Sequence, residues 1–201
     1  VKNQYLNEET GGGFYGEDIW GVVKDEIKDL IPKGYTIYGE ILGYTPSGAA
    51  IQKGYDYGCN QGEHKFYVYK ISVVNKDGEV IYLSDPQIKE FCNKVDLNYS
   101  DTFIWYGKIE ELLNSKSFLD WDINSRDIES DDWRELLLEY LEFTYNEKNC
   151  YMCVNNVPEE GIILRIDKLY EYEAYKLKSK RFLLAESDAQ DNDETNIEDE
   201  Q

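Results

Sequence analysis

The chain has 201 residues, with 41 acidic and 21 basic side chains, a net charge of −20 and a single histidine. At 41% hydrophobic and 14% aromatic residues it is too apolar for a disordered chain, and it is long enough to bury a core as one large domain or two small ones. The acidic balance excludes a broad electrostatic grip on nucleic acid or on an acidic membrane surface, so any contact with phosphates needs a local basic cleft.

Residues 1–16 are polar and contain Gly11-Gly12-Gly13, a flexible leading segment without the apolar core of a signal peptide. The sequence does not begin with Met, which reads as a fragment or a processed product. Asp18 to Ile31 carries Ile19, Val22, Val23, Ile27, Leu30 and Ile31 at helical spacing and is stopped by Pro32-Lys33-Gly34. Tyr35–Leu42 is a strand, and a Gly- and Pro-bearing loop follows from Gly43 to Gly62. Phe66–Val74 is a second strand, turned by Asn75-Lys76-Asp77-Gly78 into Glu79–Leu83. Pro86 to Lys94 is a short helix. Trp133, Leu136, Leu137, Tyr140 and Leu141 mark an amphipathic helix, with Ser130 as its expected N-cap. Strands are expected at Gly161–Ile166 and Glu173–Phe182. From Glu186 to Gln201, eight carboxylates and no basic residue predict a disordered acidic tail, leaving 1–185 as the folded part. Separated helices and hairpins make the class α+β. No apolar run approaches the roughly 18 residues of a membrane span, and a cytoplasmic protein is expected.

Three strands place polar groups where a buried strand is normally apolar. In Tyr38-Gly39-Glu40-Ile41-Leu42, burial of Glu40 is costly unless it faces a polar site or an ion, and Gly39 permits close backbone approach. In Glu159-Glu160-Gly161-Ile162-Ile163-Leu164-Arg165, paired acids before a glycine suit an oxygen-rich Mg²⁺ site. In Tyr175-Lys176-Leu177-Lys178-Ser179-Lys180, strand alternation puts three lysines on one face, where phosphate is the natural guest. Each has a plain alternative, respectively an edge-strand Glu in water, a solvated turn and a lysine-protected edge.

Taken in order, Tyr38-Gly39-Glu40-Ile41-Leu42, then Phe66-Tyr67-Val68-Tyr69-Lys70-Ile71, then Glu160 to Arg165, then Tyr175 to Phe182, the sequence resembles the ATP-dependent RNA ligases, closest to the phage and viral type, within the covalent nucleotidyltransferases that also include DNA ligases and mRNA capping enzymes. The four segments match that superfamily's motifs III, IIIa, IV and V. The resemblance reaches to about Leu184 and implies a nucleotidyltransferase catalytic fold with antiparallel sheets. It implies RNA repair chemistry in three steps: lysyl-AMP formation from ATP, AMP transfer to an RNA 5′-phosphate, and sealing by a 3′-hydroxyl. It further implies that Glu40 contacts the AMP ribose or the metal shell, and that Tyr69 stacks on adenine. Glu160 would hold Mg²⁺ or Mn²⁺, Arg165 would neutralise a substrate phosphate, and Lys176 and Lys178 would grip the α-phosphate of ATP. RNA ends and ATP are the expected partners, in the cytoplasm of a host cell if the protein is phage- or virus-encoded.

The departures matter as much. The family's K-x-D-G, which supplies the nucleophilic lysine ahead of motif III, does not occur; Lys76-Asp77-Gly78 lacks the intervening residue. The expectation is an N-terminally truncated domain that cannot adenylylate itself. Lys70 stands where some relatives carry an acid. Only 23 residues follow Lys178, too few for the OB-fold domain of DNA ligases and capping enzymes, which favours RNA over a DNA-nick ligase fragment. A non-catalytic acidic binding relative is the alternative of a different class. Cys150 and Cys153 form one C-x-x-C that Cys59 and Cys92 could complete, but packing is the better reading than zinc. His64, flanked by charged and polar residues, is not read as catalytic, and Trp105, Trp121 and Trp133 read as packing residues.

Overall fold

The computed structural model describes residues 15–100, 105–124 and 132–191. Helix α1 (Ile19–Ile27) starts at Asp18, whose carboxylate accepts from Gly21 N at 2.9 Å, and ends in a 3-10 turn over Lys28–Leu30. Strand β1 (Tyr35–Gly43) then pairs antiparallel with β2 (His64–Val74). Along its other side β2 takes β3 (Val80–Tyr82) antiparallel and the two-residue β4 (Asn98–Tyr99) parallel. Helix α2 (Asp85–Val95) lies between β3 and β4 and is opened by a Ser84/Gln87 capping box. Three helices follow: α3 (Ile109–Leu113), α4 (Lys116–Asn124) and α5 (Trp133–Tyr145). A second antiparallel pair, β5 (Gly161–Asp167) and β6 (Tyr172–Lys178), precedes α6 (Lys180–Asp191). The class is α+β with antiparallel sheets, as the sequence predicts.

The larger sheet is covered on one face. Val68 and Ile71 of β2 bury against Ile88 and Cys92 of α2, and Ile41 of β1 packs on Ile19 and Val23 of α1. The opposite face is polar at its middle and closes at one end over Leu42, Tyr55, Tyr57, Cys150 and Phe182. Helix α5 covers the back of the β5–β6 hairpin through Leu137 and Leu141 against Ile162 and Leu177. Phe118 and Trp121 of α4 pack edge-on with each other, and Trp121 meets Tyr140 of α5 in the same way.

A bulge in β2 sets which side chains reach the polar face. Tyr38 pairs with Lys70 and Gly39 with Val68, so Tyr69 has no partner on β1. Strict alternation would send Val68 and Lys70 to the same side. With one extra residue, Val68 and Ile71 both enter the core, while Tyr69 and Lys70 both leave it. Gly39 is required opposite, since a Cβ there would lie 2.2 Å from the Phe66 ring and 2.6 Å from the Tyr67 carbonyl oxygen.

Three expectations need correction. The last strand ends at Lys178 instead of running to Phe182, because Ser179 caps α6: its Oγ accepts from Phe182 N at 3.1 Å. Lys180 therefore leaves the lysine face and pairs with Glu142 of α5 at 3.1 Å. Helix α6 also carries the chain past Glu186 to Asp191, beyond the 185/186 boundary, while residues 192–201 lie outside the described residues. The N-cap of α5 is Asp132, accepting from Arg134 N at 2.9 Å; Ser130 lies outside the described residues, as does the leading segment up to residue 14.

Candidate active site

On β1, Tyr38, Glu40 and Leu42 alternate onto the polar face, where Glu40 is paired with Tyr67 of β2. Tyr69 is 49% exposed beside them. Burial pushes its phenol upward, Lys70 opposes that shift and Glu40 adds to it, so both charges lie within electrostatic reach of the ring hydroxyl.

The hairpin brings the lysines to the acidic turn. Gly161 pairs with Lys178 and Ile163 with Lys176, so both lysines sit on one face beside Glu160. Gly161 has φ +151°, and a Cβ would stand 2.0 Å from the Leu177 carbonyl oxygen, so only glycine brings the strands together there. Ser179 fixes the turn from the other side: its N donates to the Glu160 carbonyl at 2.8 Å and its Oγ to the Glu159 carbonyl at 2.6 Å. Glu160 Oε1 is buried and is ion-paired with Lys176 Nζ. Lys178 Nζ reaches both carboxylate oxygens of Glu186 on α6, at 3.1 and 3.2 Å. The anions that offset repulsion between the two lysines are thus the chain's own.

Glu40 and Glu160 converge on the Tyr55–Tyr57 loop. Burial first, then the Glu40 and Glu160 carboxylates, push the Tyr57 phenol far above its ordinary value. Tyr55 Oη donates to the Pro158 carbonyl at 2.8 Å. Asp56 accepts from the backbone of Gly58, Val154 and Asn155 at 2.8 to 2.9 Å, and these bonds hold its carboxyl below the usual range. This loop ties the strand bearing Glu40 to the turn bearing Glu159 and Glu160. Glu159 lies within electrostatic reach of Glu160, and burial first, then that neighbour, raise its carboxyl.

Arg165 is placed differently from its companions. Its Nε donates to Asp167 Oδ1 at 2.7 Å, Nη1 to the Tyr69 carbonyl at 3.2 Å and Nη2 to the Leu83 carbonyl at 2.7 Å, and the guanidinium stacks 4.2 Å from the Tyr172 ring centroid. Asp167 Oδ2 in turn accepts from Asp85 N at 2.9 Å. The guanidinium joins the hairpin to β2 and to the segment after β3, on the same hairpin face as Lys176 and Lys178 and two ladder positions beyond Lys176.

Among the described residues no group of three or more His, Cys, Asp and Glu side chains forms a metal-holding cluster. Cys92 sits in the α2 core while Cys150 sits with Tyr55 and Phe182, so the four cysteines do not converge. His64 pairs with Glu26 of α1 at 3.1 Å, on the covered face. Ser179, Glu186 and Asp167 are site-building residues that the sequence reading did not single out. A Ser directly after the lysine strand was the one available signal, since it is a strong helix-start residue.

The order of these four segments along the chain, their convergence on one face, and the antiparallel sheets that carry them agree with an independent comparison. The family model described as RNA ligase matches residues 2–179, most of the sequence. The chain belongs to the RNA ligase family.

Proposed function

We propose that this ligase-family chain joins RNA ends through adenylylated intermediates made from ATP, and that Glu40, Tyr69, Glu160, Lys176 and Lys178 form its nucleotide site. The observation that carries this reading is the meeting of Glu160 with Lys176 at the glycine turn, with Lys178 beside it. In this reading Tyr69 offers its exposed ring to adenine, a contact worth about 1–3 kcal/mol. Lys176 and Lys178 exchange their carboxylate partners for α-phosphate oxygens and stabilise the charge that builds there during displacement. Glu40 orients the ribose. In the sealing step the RNA 3′-hydroxyl oxygen bonds to the 5′-phosphorus, the AMP phosphate leaves, and the hydroxyl proton passes to solvent.

The donor set fits a hard divalent cation such as Mg²⁺ or Mn²⁺. Such an ion takes one or two carboxylates and completes its shell with phosphate oxygens and water. Glu160, whose buried carboxylate oxygen is released once Lys176 turns to phosphate, would hold it, with Glu40 in its outer shell. When bound, the cation would neutralise phosphate charge. Because no K-x-D-G occurs in these 201 residues, the chain as given is not expected to label itself with AMP.

Sealing of RNA that already carries a 5′-adenylate tests the site without needing that lysine. The full chain should seal it, and Glu160→Ala or Lys178→Ala should abolish sealing. Unchanged rates would overturn the site assignment. Equal sealing of RNA and DNA nicks would point to a general polynucleotide ligase. Absence of any AMP affinity by calorimetry would favour a binding relative without catalysis.

A further inference from the structure

Lys70 is a cation on the polar face of β2 that none of the foregoing uses. Its Nζ lies 3.8 Å from the ring centroid of Tyr38, 5.8 Å from that of Tyr82 and 6.0 Å from that of Tyr172. These rings come from β1, β3 and β6, so two sheets contribute to one cage. Tyr82 and Tyr172 meet edge-on at 5.4 Å, and Arg165 covers Tyr172, which fixes the cage from outside.

Lys70 is half-buried, and among the described residues no carboxylate lies within 4 Å of its ammonium and no oxygen accepts its hydrogen bonds. Lys168, Lys176, Lys178 and Lys180 each have a carboxylate partner. Lys70 differs from these four in having only ring faces around its charge. Ring faces offset part of the lost hydration of a cation, but they leave its demand for an anionic oxygen unmet. Nor is the position explained by the resemblance, since some relatives place an acid there.

We propose that Lys70 in its tyrosine cage binds a backbone phosphate of the RNA strand, beside the adenylate pocket and on the far side of it from Lys178. The inference rests on the reading above that RNA is the substrate. The location favours a polynucleotide over the tail of ATP. Tyr172 is four residues along β6 from Lys176, roughly 13 Å at the rise of a strand. With the α-phosphate held at Lys176 and Lys178, the β- and γ-phosphates are too close to it to span that distance. A nucleic acid strand, by contrast, carries a phosphate at every residue, and the flanking tyrosines offer faces on which bases stack.

Lys70→Met tests this, because it keeps an unbranched chain among the rings while removing the charge. Binding of the full chain to a short 5′-phosphorylated single-stranded RNA is followed by fluorescence anisotropy over a series of salt concentrations, beside a titration with AMP and Mg²⁺. The variant should bind RNA about three- to tenfold more weakly, and the slope of log K against log salt should shrink by about 0.7, as for one lost phosphate contact on a single strand. AMP affinity should not change, and Lys70→Arg should restore RNA binding. A purely structural role predicts an unchanged salt slope, and that result overturns the proposal. So does a fall in AMP affinity equal to the fall for RNA, which would place Lys70 in the adenylate pocket. A wild-type chain that binds AMP but not RNA overturns it too, whereas one that binds neither overturns the proposed function itself. If Lys70→Met does not fold by thermal melting, Lys70→Gln is read by the same criteria.

Discussion

Replacing Arg165 by Met removes three hydrogen bonds and a charge while leaving an unbranched stem against Tyr172. The side chains of Arg165 and Asp167 are only 15% and 14% exposed, so the pair is largely desolvated. Breaking a buried pair from one side costs about 3–5 kcal/mol, mostly because the remaining charge loses its partner. Asp167 keeps the Asp85 backbone donor, which puts the expected loss nearer to about 2–4 kcal/mol. At about 2–4 °C per kcal/mol for a domain of this size, the melting temperature should fall by about 4–16 °C. Thermal and urea unfolding followed by circular dichroism read this directly. The double variant Arg165→Met, Asp167→Asn should recover part of the loss, since it leaves no unpaired charge. If Arg165→Met melts like the wild type while AMP or RNA affinity drops tenfold, the latch reasoning is wrong and Arg165 is the phosphate ligand that the family resemblance implies.

Three further predictions follow from contacts described above. Glu186→Gln removes the carboxylate that competes with phosphate for Lys178 and should tighten ATP binding about two- to fivefold by calorimetry; weaker binding would mean that Glu186 holds the lysine in its working position. Gly161→Ala forces a methyl onto the Leu177 carbonyl and should cost about 2 kcal/mol or more in urea unfolding, whereas a loss under about 0.5 kcal/mol would contradict the contact. Burial pushes the Tyr145 phenol from 10.0 up to about 12, so the fold favours its neutral form. Its contribution is complete below pH 10 and lost as the pH rises through about 12. Tyr145→Phe should flatten stability against pH over that interval, and an unaltered slope would refute the burial argument.

The strands carrying Glu40, Lys176 and Lys178 are legible in the sequence because each is a short run interrupted by a charge at a phase that alternation fixes, and Glu160 is legible as an acid before a glycine that opens a strand. The lysine face is the clearest case: period two predicts Lys176 and Lys178 together, and the register confirms it. Lys180 breaks the pattern because Ser179 starts a helix, a local event that period-two charge alternation does not register. The role of Arg165 was beyond reach for a different reason. Its acceptors on Tyr69 and Leu83 are 96 and 82 residues away, and a hydrogen bond to a backbone carbonyl leaves no mark on the acceptor's side chain. The helical fate of Glu186 was hidden in an acidic composition that by itself reads as disorder.

The bulge at Tyr69 has a consequence for how this cleft can change. Delete that residue and the strand regains unbroken alternation, with Val68 and Ile71 still inward and Lys70 still outward. Tyr69 is therefore a position that the ladder does not count. Its neighbours answer to the core on one side and to β1 on the other, while its own side chain answers to neither. Substitution there reshapes the wall of the cleft without moving the registers around it, so ligand preference can drift at this position while the scaffold stays as it is.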